Sequence, residues 1–179
     1  MRRTLIAAAA VVVTALAPTA AAEAHSCANA DKHPGQASIA QLRSATICLV
    51  NVQRRSHGRT ALKRNSGLAL AGQRHARDMV SRRYFAHDSK SGASFSDRIA
   101  RAGYLKHASS ALLGENLAWG VQDKSTPRSI VRAWMHSPGH RANILRPNFR
   151  EIGIGVVRAA PSGLGNAATY AAEFGKRVR

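Results

Sequence analysis

The sequence predicts an α+β fold with helices on both faces of a small sheet, and three observations carry that reading. Apolar residues recur at steps of three and four in several segments before residue 140, the spacing of helices with one buried face. The period then changes to two in "EIGIGVV", where Ile152, Ile154 and Val156 alternate with small partners. A second strand-like stretch, "ATYAAEFG", follows a loop-forming "RAAPSGLGN", so the two strands are expected to run antiparallel. Helices flanking a few strands form layers around one core, and 179 residues with 45% hydrophobic content suffice for it.

The first 24 residues read as a secretory signal peptide. Arg2 and Arg3 precede an apolar run from Leu5 to Ala17, and small residues follow, with cleavage after Ala22 or Ala24. A membrane anchor is the alternative, but the apolar run stops at Pro18 and is short for a bilayer. No later segment is apolar enough to span, so a secreted protein with no transmembrane segment in its mature chain is expected. The partition is 1–24 signal peptide, 25–36 polar N-terminal segment and 37–179 folded domain.

Within the domain, Ser38 and Gln41 form a capping-box pattern, and Ile39, Leu42, Ala45, Leu49 and Val52 continue a helix to about Arg55. "SHGRTALKRNSG" reads as a turn. Asn65 or Ser66 caps a second helix whose inner face carries Leu68, Ala71, His75 and Met79. Ser94 opens a short third helix, stopped by Gly103. "LLGENLAWG" is too short and apolar for an amphipathic helix and reads as a buried strand or extended turn. Pro127 suits the first turn of a fourth helix, and Pro138 ends it and starts another turn capped by Ser137.

Two cysteines, Cys27 and Cys48, are an even pair in an exported chain and suggest one disulfide. The charge is extreme: 27 Lys and Arg against 9 Asp and Glu, a net +18. A signal peptide holds few of these charges, so the excess belongs to the domain. It favours anionic cell-wall polymers or membrane surfaces as partners. Aromatics are only 5% and the basic residues are scattered, which argues against specific nucleic-acid recognition by base stacking.

Glu115 raises the main question, because one of the few acids sits in "GENLAWG" among apolar neighbours. His87, Glu115 and His140 are far apart in sequence, yet two imidazoles and a carboxylate suit zinc or another divalent cation with a position open for water. They suit a polar ligand equally well. An ion pair with an arginine such as Arg141 is the plain structural alternative for Glu115. HExxH, CxxC and GxSxG are absent, so sharper catalytic motifs do not decide the matter. His75 reads as a hydrogen-bonded core histidine, His25, His33, His57 and His107 as solvated, and Trp119 and Trp134 as core.

"YFAHDSKSGASFSDRIARAGY", "GENLAWG", "AWMHSPGHRANIL" and "EIGIGVV", in that order, resemble the CAP superfamily of cysteine-rich secretory proteins, venom allergens and plant pathogenesis-related proteins. The similarity is to its bacterial exported branch, the SCP-like extracellular domains, over roughly residues 40–175. It implies a three-layer α-β-α sandwich with a small central antiparallel sheet. It also implies a cleft of two histidines and one or two glutamates that binds a divalent metal in some members. Carried over, the histidines fall on His87 and His140 and one glutamate on Glu115. The second glutamate's position falls near Ser137, with His136 beside it.

Three functions compete at this stage. One is a binding module whose cleft takes a small polar molecule, lipid, glycan or peptide. Another is a hydrolase, metal-assisted or using His and Glu as base and acid, with His87, Glu115 and His140 as its catalytic set. A third is a polyanion binder that relies on charge alone.

Overall fold

The computed structural model describes residues 27–178. The signal-peptide segment, its cleavage sites and His25 lie outside the described residues. The order is α1 (Ile39–Ser56), β1 (Lys63–Arg64), α2 (Ser66–Ser81), α3 (Phe95–Arg101), β2 (Ser110–Val121), a 3-10 turn (Gln122–Ser125), α4 (Pro127–His136), α5 (Pro138–Leu145), β3 (Glu151–Val157) and β4 (Ala167–Val178). The sheet order is β1-β3-β4-β2. β3 and β2 both run antiparallel to β4, as expected, but β1 runs parallel to β3. The sheet is therefore mixed, and β1 is a two-residue strand inside the segment read as a turn.

Local chemistry sets the helix starts. Ser38 and Gln41 make both halves of the capping box on α1. Asn65 accepts from the Leu68 amide at 3.1 Å to start α2, and Ser94 with Asp97 caps α3 by the same reciprocal device. Gly103 has φ +81°, a left-handed conformation that ends the α3 segment cheaply only as glycine. Ser137 does stand before α5, but its side chain makes no capping bond; it also closes α4.

Alternation along the strands sorts residues to two faces. Ile152, Ile154, Val156, Tyr170, Ala172 and Phe174 join the main core with Leu42, Val50 and Trp134 of α1 and α4. The opposite face carries Gly153, Gly155, Ala171 and Leu117, under α2. A Cβ at Gly153 would overlap the backbone of Leu68 and Ala69, and one at Gly155 the backbone of Gly72. The small partners in "EIGIGVV" therefore let α2 lie directly on the sheet. With α3 beside α2, and α1, α4 and α5 on the other face, the result is the three-layer α-β-α arrangement.

Two further ties fix the frame. Cys27 and Cys48 form the expected disulfide, with Cα atoms 5.8 Å apart. It joins the N-terminal segment to α1 and contributes about 3 kcal/mol by the chain-entropy argument. Arg54, fully buried, donates to the carbonyls of Thr60 at 2.7 Å and Ile144 at 2.6 Å. A buried cation is tolerable here because carbonyls, including one at the C-terminal end of α5, replace its water. Among the described residues no helix is long and apolar enough to cross a membrane.

Candidate functional site

Glu115 sits in the middle of β2, not in a turn. Its side chain shares a sheet face with Leu117, the face covered by α2, and is 1% exposed. Three elements bring partners to it. From α2, His75 places Nε2 4.0 Å from Glu115 Oε2 while donating to the Ala86 carbonyl at 2.9 Å. The loop after α2 brings His87, whose Nδ1 donates to Glu115 Oε1 at 2.8 Å. From α3, Arg98 donates to Glu115 Oε2 at 2.6 Å. Strand register adds a second acid, because Glu173 of β4 pairs directly with Glu115.

The electrostatics separate the two carboxyls. Burial opposes ionisation of Glu115, but hydrogen bonds from His87 and Glu173 and the charge of Arg98 outweigh it, so its carboxyl titrates below the usual range. Glu173 is fully buried, and no N–H or O–H of the protein reaches either of its oxygens. Burial, then the charge of Glu115 and their shared hydrogen bond, hold Glu173 well above the usual carboxyl range. It is a neutral acid that donates to Glu115. The hydrogen bond to Glu115 raises His87, against the opposing effect of burial. Burial lowers His75 and keeps it neutral, with Nδ1 left without a partner.

His140 lies in the first turn of α5. Asn116 Nδ2 donates to its carbonyl at 3.0 Å, and Asn143 Nδ2 donates to the Asn116 side-chain oxygen at 2.9 Å and to the Glu115 carbonyl at 3.1 Å. Asn116 thus bonds backbone from within the strand. Burial and then the charge of His87 lower the His140 imidazole, so the two rings lie within electrostatic range. The His87 side chain is 56% exposed while Glu115 beneath it is sealed. The His87 imidazole therefore stands open to solvent over a buried ion pair, and among the described residues no hydrogen bond or ion pair joins the His140 ring to it.

Several expectations change. The arginine paired with Glu115 is Arg98, not Arg141. Trp134 is core and donates to the Leu117 carbonyl at 3.0 Å, but Trp119 is 37% exposed. His33 is solvent-accessible, as expected, and in addition pairs with the exposed Asp123 at 3.1 Å. His136 is exposed and bonded to the Arg132 carbonyl. The zinc expectation for His87, His140 and Glu115 meets a chemical obstacle. One oxygen of Glu115 is taken by the Arg98 guanidinium and the other by His87 Nδ1, and a resident cation of the protein repels a metal ion from that floor. Among the described residues no group of three or more His, Cys, Asp or Glu is arranged to hold a metal. The residues present do not fit a divalent cation.

Arg98 and Glu173 were missed, although each left a trace. Arg98 falls at i+3 from Phe95 and i−4 from Ala102, so a cation interrupts the apolar stripe of α3. Glu173 is a lone acid inside the apolar run "ATYAAEFG", the same oddity that singled out Glu115.

Comparison with known proteins agrees with this architecture. The chain is 34% identical over 122 residues to the uncharacterized protein YkwD of Bacillus subtilis, covering 68% of this chain and 45% of the relative. It is 33% identical over 110 residues to the uncharacterized membrane protein YlbC of the same organism, covering 62% of this chain and 30% of that one. The chain thus spans less than half the length of either. A solved extracellular protein containing a SCP domain from Bacillus anthracis superposes with a TM-score of 0.62 at 26% identity, over 79% of this chain and 43% of that one. An outer surface protein of Borrelia burgdorferi shares the fold, with a TM-score of 0.60 at 21% identity over 74% and 90% of the two chains. Residues 47–170 match the pattern of the cysteine-rich secretory protein family, and the chain belongs to that CAP family.

Proposed function

We propose that the protein is a secreted binding module, which uses His87 and His140 to hold a small ligand through an oxygen acceptor such as a carboxylate or phosphate. The observation that carries this reading is the His87–Glu115–Arg98 chain of contacts at 2.8 and 2.6 Å. A buried carboxylate that accepts from Nδ1 fixes the ring and favours its charged form, which leaves Nε2–H as a donor toward solvent. The basic surface, at net +18, draws anions toward such a donor. Export is supported by the Cys27–Cys48 disulfide, a bond of oxidising compartments, and by relatives described as extracellular or outer surface proteins.

Acetate and inorganic phosphate, titrated while the imidazole proton resonances are followed, test the reading. Both anions should shift His87 and His140, and binding should weaken as pH rises through the elevated His87 midpoint. Unshifted imidazoles, or equal binding by His87→Asn, would refute it. A hydrolase keeps one supporting observation: the same Glu115 contact would orient His87 as a general base. Turnover of a peptide or ester substrate that disappears in His87→Asn would favour that alternative.

A further inference from the structure

A pocket of about 590 Å³ is lined by none of His87, Glu115 and His140. Three segments distant in sequence build its walls: the N-terminal segment through His33 and Gln36, the turn after β2 through Gln122 and Asp123, and the β3–β4 connection through Arg158 and Asn166. They are tied to one another. His33 pairs with Asp123 at 3.1 Å, the Gln122 amide donates to the Asn166 carbonyl at 2.7 Å, and Arg158 donates to the Ala37 carbonyl at 2.6 Å.

Gln122 and Asn166 face the pocket from two walls, and both adopt left-handed backbone, with φ +48° and +46°. Asparagine tolerates this conformation; glutamine seldom adopts it. Strain of this kind concentrates at binding sites, where it sets a side chain in place. The lining chemistry is selective. Gln122 and Asn166 each offer a donor and an acceptor, and Gln36, whose oxygen already accepts from the His33 amide at 3.2 Å, adds its N–H donors; together they match the paired donor and acceptor character of sugar hydroxyls. More of the lining is apolar than polar, with Pro34 and Ala167 contributing, and such a surface suits the C–H face of a sugar ring. Asp123 is held by His33 at the solvent-exposed rim, whereas Arg158 has no carboxylate partner among the described residues. One guanidinium bond goes to Ala37, and further donors remain for a planar oxyanion.

We propose that this pocket, walled by Gln36, Gln122, Asn166 and Arg158, binds a saccharide that bears a carboxylate. The proposal does not depend on the imidazole site. Its test is amide-resolved NMR titration with glucuronate and with glucose, the same ring with and without the carboxylate. Glucuronate should shift Gly35, Gln122 and Asn166 and bind about tenfold more tightly than glucose, as expected for one charge-assisted contact. Arg158→Gln should erase that discrimination. Gln122→Gly relieves the left-handed strain and deletes the carboxamide, so it should keep or raise stability while weakening both sugars. The methyl glycoside of glucuronate, blocked as in a chain, tells a polymer-borne sugar from a free one: retained binding assigns the first and lost binding the second. Shifts confined to His87 and His140, no shifts with either sugar, or full discrimination in Arg158→Gln would overturn the proposal.

Discussion

Replacing Glu173 by Gln should stabilise the protein, and increasingly so as pH rises. Glu173 is fully buried opposite Glu115, receives no hydrogen bond and is held protonated. In the unfolded chain its carboxyl ionises near the ordinary 4.5. A folded-state midpoint raised above the unfolded one means stability is greatest below the unfolded value and is lost as pH rises toward the folded value. The loss is about 1.4 kcal/mol per pH unit within that window. Glutamine has the same shape, stays neutral and can still donate an N–H to Glu115, so it removes the loss. Its second N–H lacks a partner, a cost of about 1 kcal/mol that is independent of pH. The net expectation at neutral pH is a gain of about 1–3 kcal/mol, shrinking to zero or a slight deficit below pH 4.5. Urea denaturation of both proteins across a pH series measures it. Parallel stability curves would mean that Glu173 is ionised in the fold, and the reasoning would fail.

Glu115→Gln should lower the His87 titration midpoint toward that of an ordinary imidazole, seen by NMR. It should also cost about 2–4 kcal/mol, because Arg98 is then buried without its counter-charge. The wild-type contribution of Glu115 is present above the ordinary carboxyl range and fades as pH falls through its lowered folded value, which acid denaturation of wild type and Glu115→Gln compared would detect. Gly155→Ala should destabilise by about 1–3 kcal/mol, since a methyl there meets the Gly72 backbone of α2; the denaturation midpoint reports it. Cys27→Ser with Cys48→Ser should cost about 3 kcal/mol, and dithiothreitol should reproduce that loss in the wild type.

Much of the fold was legible because its signals are local. Ser38, Asn65 and Ser94 stand at true helix starts, and the glycines of "EIGIGVV" mark where a helix meets the sheet. Lys63–Arg64 was not legible, since two residues carry no periodicity. The site was half legible. His87 and Glu115 were singled out and do touch, but the pairing of Glu115 with Glu173 depends on strand register, and no local pattern encodes which residues of β2 and β4 face each other. Arg98 decides the chemistry of the floor from a third element. Without it, two histidines and an acid read as a metal set; with it, the acid is already neutralised. Trp119 misled for a similar reason, because exposure depends on what a neighbouring element fails to cover.

β2 borders the sheet on one side only, and its outer rim would be open to any free strand were it left bare. Trp134 and Asn143 instead clasp the Leu117 and Glu115 carbonyls on that rim. The helical pair that carries His140 therefore also guards the protein against strand exchange between copies. Damage to Asn143 would show first as self-association, so a mutant lost from solution there would say nothing about what the imidazoles bind.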